Sequence, residues 1–287
     1  MVKNNTYLVY SVIQSNNNLK RWFLITKLLM CPPTYYTVNY EINPWMNVRV
    51  KPDKQKAPAQ WKNYYKLLAK LKIKVHKIKP RPGLPDMVFT ANAGLLFKKK
   101  FIASNFRYSQ RQGEAKYFSQ WFKRRGYEVI TLPQNYLFEG EGDALVIGDT
   151  LVAGFRFRSD IHSHRYIGDA IDKRVISLEL VNSNFYHLDT CFCPLDNETA
   201  MYFPEAFDKY GEKILNNLIP NLIKINNKDA MNFCCNALVS GKKVVMNNCT
   251  AKLKGRLEDI GFKVFYLDLS EFIKAGGSSK CLALYLH

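Results

Sequence analysis

Short apolar runs alternate with amphipathic stretches along the whole chain. "WFLITKLLMC" reads as a strand and "PPTYYTVNYEINPWM" as the loop after it. From about 58 to 71, Trp61, Tyr64, Tyr65 and Leu68 fall at helical spacing, and "KVHKI" follows as a strand. "DMVFTANAGLLF" and "KFIASN" then predict two strands, "GEAKYFSQWFKRRG" a helix ended by its glycine, and "YEVITL" a third strand. The same order returns in "ALVIGDTLVAGF", a helix around "HRYIGDAIDKRV", and "VISLEL". It returns once more in "KKVVMN", the helix "CTAKLKGRLEDIG", "FKVFYLDL" and "KCLALYLH". A strand-strand-helix-strand unit repeated without sequence identity predicts one domain of similar α/β units around a common axis. A doubly wound sheet is the alternative. With no G-x-G-x-x-G after the first strand and no P-loop, nicotinamide and ATP chemistry lose support.

Composition adds three constraints. At 287 residues and 47% hydrophobic, the chain can bury a full core. No apolar run approaches the ~20 residues of a membrane span, and the first residues lack the pattern of a secretion signal, which predicts a cytoplasmic protein. The seven cysteines are odd in number, and Cys191/Cys193 and Cys234/Cys235 miss C-x-x-C spacing, so reduced thiols and no structural metal are expected. The net charge of +18 is uneven: residues 1–82 hold 16 Lys and Arg against two acids, Glu41 and Asp53. The stripe "KNYYKLLAKLKIKVHKIKPRP" could follow an anionic partner, or be the solvated face of a helix. The excess of lysine over arginine and the lack of a zinc-finger or RNA-binding signature argue against nucleic acid as the primary partner.

Polar residues interrupt the apolar pattern at a few places. In "PDMVFTANAG", an extended backbone would turn Asp86, Val88, Thr90 and Asn92 to one side. In "LFEGEGDALV", Glu139, Glu141 and Asp143 alternate with glycines, and acids facing one pocket would suit a cationic group. In "FYHLDTCFCPL", a strand would put His187 and Asp189 on one face, a proton carrier beside an anion. Arg107 with Arg111, and Arg156 with Arg158, are candidate clamps for a carboxylate. Asp160, His162 and His164 suggest a metal cluster less well than a polar loop. Finally, "AGGSSKCLALYLH" puts Cys281 between a small-residue loop and an apolar strand, where it is a buried core thiol or a nucleophile served by His187. Together these residues describe a cysteine-dependent enzyme for a substrate both cationic and carboxylated.

The ordered motifs "PDMVFTANAG", "FEGEGD", "YHLDTCFCPL" and "GGSSKCL" resemble the guanidine-modifying superfamily of arginine deiminases, dimethylarginine dimethylaminohydrolases and amidinotransferases. Within it, "LMCPPTYYTVNYEINPWM" is similar to a segment of the arginine dihydrolases. The resemblance implies a five-bladed α/β propeller, the pentein fold, built from ββαβ units over residues 27–287, with residues 1–26 an N-terminal extension. It implies Cys281 as nucleophile, His187 as proton carrier, and Glu139 and Asp189 as ligands of the guanidinium. Arg111 and Arg158 would hold the α-carboxylate, Asp86 with the Ala275 carbonyl the α-ammonium, and Asn43 would come from the loop over the site. The amide Asn92 stands where deiminases have an aspartate. This implies hydrolysis of L-arginine twice, giving ornithine, two ammonia and carbon dioxide, with no cofactor. A hydrolase stopping at citrulline, an amidinotransferase, and a basic binding module on an inactive scaffold are the alternatives. Members of the superfamily are often oligomers, which adds a homo-oligomer to the expectations.

Overall fold

The computed structural model describes residues 26–286; of the expected extension 1–26, all but Thr26 lies outside the described residues, as does the stretch 22–25 of the first predicted strand. The described strands form five three-stranded sheets. One sheet contains Gly94–Phe97, Lys100–Ala103 and Glu128–Ile130, with helix Ser109–Lys123 before its last strand. The next contains Ala144–Ile147, Thr150–Phe155 and Arg174–Glu179 with helix Ile161–Ile171. A third contains Phe192–Pro194, Thr199–Tyr202 and Asn221–Lys224 with helix Lys209–Leu218, and a fourth Leu238–Ser240, Lys243–Met246 and Lys263–Tyr266 with helix Ala251–Asp259. The fifth is composite: Leu284–Leu286 pairs antiparallel with Lys27–Met30, which pairs parallel with Lys74–Lys77 after helix Lys56–Lys70. Each unit is thus ββαβ, and the molecule is a five-bladed α/β propeller closed by a blade drawn from distant parts of the chain.

Local chemistry sets the boundaries. Asp160, Asp208 and Thr250 cap three of the helices by accepting from the backbone N–H of His162, Gly211 and Leu253. Asp53 Oδ1 accepts from the N–H groups of Gln55 and Lys56 at the start of Lys56–Lys70. That helix buries Ala57, Trp61, Tyr64 and Leu68 and exposes Lys56, Lys62, Lys66 and Lys70, so its charge lies on a solvated face. Apolar residues from neighbouring blades fill the spaces between them: Leu29 and Leu284 of the closing blade pack with Leu96, Phe101 and Phe118 of the next.

Four expectations change. Residues 85–93 are not extended but form two 3-10 turns, Pro85–Val88 and Thr90–Ala93, in which Phe89 N–H donates to Asp86 O and Asn92 N–H to Phe89 O. Proline at the first position favours this turn over strand pairing. His187 and Asp189 do not share a strand face: Leu188–Cys191 is one helical turn, and the strand starts at Phe192. His162 and His164 lie in the first turn of Ile161–Ile171 rather than in a loop. The blade Phe192–Lys224, for which the periodicity names no elements, is complete.

The closing blade gives a stability test. Leu284 is fully buried against Leu29. Leu284→Ala should cost about 2–5 kcal/mol, read as a lower urea midpoint with an unchanged slope.

Candidate active site

In every blade the first strand runs antiparallel to the second, so the residues entering the first and leaving the second emerge at the same end. The entering segments bring Asp86 and Asn92, Glu139, His187 and Asp189, Asn236, and Cys281 together. The segments leaving second strands supply Arg111, Arg158 and Asn43. Nine residues singled out in the sequence, with Asn236 beside them, therefore come from one end of the propeller. Asp86, Asn92, Arg111, Arg158, Asn43, Ala275 and Cys281 line one narrow cavity, together with Tyr186 and Phe89.

Cys281 is 2% exposed. Its Sγ lies 3.1 Å from Asn236 Nδ2 and 3.4 Å from Asp189 Oδ2. Burial first, then the Asp189 carboxylate, pushes its thiol well above the usual cysteine range. Burial also pushes Asp189 up to about 7, against the pull of Lys280, the Cys281 thiol and Asn236. Before the cysteine, Gly276 holds φ +79°, and a Cβ there would strike the Tyr186 hydroxyl. The glycine thus lets the loop reach the cavity wall.

His187 Nε2 lies 2.8 Å from Glu139 Oε2, which also accepts from Arg158 Nη1 at 2.9 Å. All three side chains are buried. Burial alone would raise the Glu139 pKa, but the Arg158 guanidinium, the bond and charge of His187, and Arg111 outweigh it and hold the carboxyl well below its usual range. A carboxylate only accepts, so Nε2 must carry the proton toward Glu139, and Nδ1 is left without a partner among the described residues. Arg158 lies between the rings of Tyr108 and Tyr186, and its Nη2 donates to Ile42 O of the covering loop. Asn43 Nδ2 ties the same loop to Ala275 O at 3.1 Å.

Arg111 makes two bonds of 2.9 Å to Glu114 and a third to Asn92 Oδ1. Because arginine only donates, it fixes the Asn92 amide with oxygen toward Arg111 and nitrogen away from it. That nitrogen is buried, without a hydrogen-bond partner among the described residues, against Gly142, where any Cβ would collide with it. Tyr40 donates to Asp86 Oδ2, leaving Oδ1 unpaired among the described residues. Asp189 Oδ1 and Ser278 Oγ are unpaired in the same sense. Buried unpaired polar atoms are costly, and their concentration here marks a polar ligand site.

Several candidates do not join this cluster. Of the three alternating acids only Glu139 does: Glu141 pairs with Lys280 at 2.8 Å, and Asp143 accepts from Ser159 Oγ and Leu188 N–H. Arg107 supports the site from behind, its N–H on Glu139 and its Nε on Arg158 O. Arg156 makes an exposed pair with Glu179. His164 packs on Ser177 Oγ and Gly154 O, with burial lowering its pKa to about 4. The sequence reading passes over Asn236 and Tyr40. Asn236 precedes strand Leu238–Ser240 as Asn92 precedes Gly94–Phe97, and only that register could have revealed it.

Comparison with known proteins places this geometry. The profile of the eukaryotic N,N-dimethylarginine dimethylhydrolases matches residues 34–287. The chain belongs to the dimethylarginine dimethylhydrolase family. The bifunctional arginine dihydrolase/ornithine cyclodeaminase ArgZ of Synechocystis sp. is 45% identical over 263 residues, 90% of this chain and 37% of ArgZ. The chain thus spans well under half of that relative. The solved N-terminal domain of ArgZ with substrate bound is 43% identical, with a TM-score of 0.87 over 91% of this chain and 97% of that domain. The dimethylarginine dimethylaminohydrolase of Mycobacterium tuberculosis is 38% identical over 258 residues, covering 90% of this chain and 85% of that protein. Within the dimethylarginine dimethylhydrolase family, then, this chain is similar both to a dihydrolase and to a dimethylaminohydrolase.

The Glu139 cluster makes a prediction for this family member's stability. Because the folded pKa is depressed, Glu139 stabilises the fold above its unfolded value of about 4.5, and that contribution is lost as pH falls through the folded value. Glu139→Gln leaves Arg158 and His187 without their anion. It should cost about 3–5 kcal/mol at pH 7, and urea unfolding at pH 4 should show a smaller deficit than at pH 7.

Proposed function

We propose that this chain is an arginine dihydrolase that cleaves both terminal C–N bonds of the guanidinium. The observation that carries the reading is the orientation of Asn92. Arg111 binds its oxygen, so the amide turns its N–H away from Arg111, unpartnered among the described residues, in a side chain that lines the cavity. A guanidinium carries only donors, whereas a ureido group carries an acceptor oxygen. An aspartate at this position would favour the first and repel the second; an amide nitrogen binds the ureido oxygen of citrulline and keeps it for a second reaction. The 45% identity to the bifunctional arginine dihydrolase/ornithine cyclodeaminase ArgZ supports the same reading, while the dimethylarginine dimethylaminohydrolase of Mycobacterium tuberculosis represents the alternative.

The chemistry follows from the atoms present. Asp189 receives the guanidinium, whose positive charge offsets the burial that disfavours the Cys281 thiolate. The Cys281 thiol passes its proton to Nδ1 of His187 as Sγ attacks the guanidinium carbon, and His187, its Nε2–H held by Glu139, gives that proton to the departing nitrogen. Ammonia leaves a thiouronium ester. His187 then takes a proton from water, the hydroxide adds to the same carbon, and the C–S bond breaks to give citrulline and thiolate. In the second round Sγ attacks the ureido carbon and a second ammonia leaves. Water displaces the sulfur again, and the resulting carbamate loses carbon dioxide to give ornithine. Two waters are consumed and two ammonia are released per arginine, which balances.

In this reading Glu139 orients His187 rather than gripping the substrate, which its bonds support: Oε2 to His187 and Arg158, and Oε1 to Arg107 N–H. Arg111 and Arg158 supply the positive wall for the α-carboxylate, and Asp86, aligned by Tyr40, the acceptor for the α-ammonium. Asn43 and Ala275 close the covering loop over that end.

Incubation with L-arginine should yield ornithine and two ammonia per arginine, and Asn92→Asp should stop at citrulline while slowing the first step by less than the second. Ornithine formation by that variant at the wild-type rate would sink the account of the amide. A pH test is independent of it. Asp189, raised to about 7, must be ionised to receive the cation. Its proton therefore blocks binding on the acid side, and kcat/KM should fall about tenfold per pH unit below about 7. A profile flat from pH 5 to 8 would count against Asp189 as the cation's ligand.

A further inference from the structure

Four blade entrances supply residues to the mechanism above; the fifth, before strand Leu238–Ser240, supplies Asn236. We propose that Asn236 is a catalytic residue: its carboxamide donates the hydrogen bond that holds the Cys281 sulfur as a thiolate, and its oxygen fixes the loop carrying that sulfur. The inference rests on Cys281 being the nucleophile.

Every polar position of this side chain is used. Asn236 is fully buried. Its Oδ1 accepts from the backbone N–H of Ser278 at 2.9 Å and of Cys281 at 3.2 Å. Backbone N–H groups only donate, so the oxygen must face them, and the nitrogen must face the other way. There Nδ2 donates to Asp189 O at 3.0 Å and lies 3.1 Å from Cys281 Sγ. The Asn236 backbone carbonyl accepts in turn from Lys280 N–H and Ser279 Oγ. One residue thus clamps the loop 278–281 from both sides and faces its sulfur with a donor.

Chemistry distinguishes this contact from the other polar neighbour of the sulfur. Asp189 Oδ2, at 3.4 Å, can only accept while ionised and so favours the protonated thiol. An amide N–H donates whatever the sulfur's state, and its bond strengthens when the acceptor is charged. Once a cation engages Asp189, the carboxylate is occupied and Asn236 remains as the donor on the thiolate. The amide cannot titrate, so it serves both rounds of attack and both departures of sulfur without a change of its own.

The test reads thiolate formation without substrate. The pH dependence of Cys281 alkylation by iodoacetamide, followed at Cys281 by mass spectrometry, is compared between wild type and Asn236→Asp. The variant keeps acceptors for both backbone N–H groups and replaces the donor by a carboxylate oxygen. Its alkylation midpoint should rise by about one to two pH units, and kcat/KM for arginine should fall about 10- to 100-fold. Equilibrium binding of arginine in a Cys281→Ser background should change far less. Asn236→Ser removes the donor without adding charge and should shift the midpoint upward by a smaller amount; it replaces the aspartate variant if that one does not fold. Unmoved midpoints in the variants that fold overturn the proposal. Wild-type protein that turns over no arginine, with midpoints that still move, keeps the role of Asn236 and discards the substrate. Turnover of arginine with unmoved midpoints does the reverse.

Discussion

The antiparallel pairing of the first two strands in each blade is the constraint on which the site depends. It brings the start of one strand and the end of the next to the same edge of the sheet, and five sheets around an axis turn those edges into a ring. The entering segments are short stretches between blades. They adopt single turns, as in Gly140–Gly142 and Leu188–Cys191. Such turns leave backbone and side-chain groups pointing inward, away from the ladders that hold the blades together.

Within the ring, ionisable groups are buried in compensated sets rather than singly. Arg111 is held by Glu114, Arg158 by Glu139, and Lys280 by Glu141, each pair nearly inaccessible to solvent. Burial of an unpartnered ion would neutralise it, so these internal partners let fixed charges persist in a small enclosed space. Glu139 is the clearest case, since two cationic neighbours reverse the direction in which burial alone would move it. Asp189 lies at the opposite extreme, poised near neutrality because its compensation is partial. The same enclosure therefore produces one permanently ionised carboxylate and one responsive to what binds beside it.

Much of this was legible in the residues, for uneven reasons. The ββαβ repeat shows through because outer helices keep a clear apolar face, as Trp61, Tyr64 and Leu68 do. Cys281, His187, Asp86 and Asn92 stand out as polar breaks beside apolar runs. Their presentation was misread: alternation suggests strands at 85–93 and 187–191, yet local hydrogen bonds close turns that alternation cannot distinguish from extended chain. Glu141 and Asp143 look equivalent to Glu139 in sequence and are separated from it only by partners far along the chain, Lys280 and Ser159. Asn236 is invisible for the opposite reason, because in "CCNALV" it is one uncharged amide between cysteines and apolar residues, and its role arises from contacts with a loop more than 40 residues away.

The composite blade has a kinetic meaning. Its strand Leu284–Leu286 follows Cys281 by three residues and pairs with Lys27–Met30, a contact that spans nearly the entire described chain. Closing so long a loop is entropically slow, and pairings of that separation form late in folding. Blades built from consecutive residues can assemble beforehand and already carry His187, Glu139 and Asp189. The segment carrying Cys281 is therefore tied into the ring by its most sequence-distant strand pairing, whereas His187, Glu139 and Asp189 are carried by blades closed within short stretches of chain.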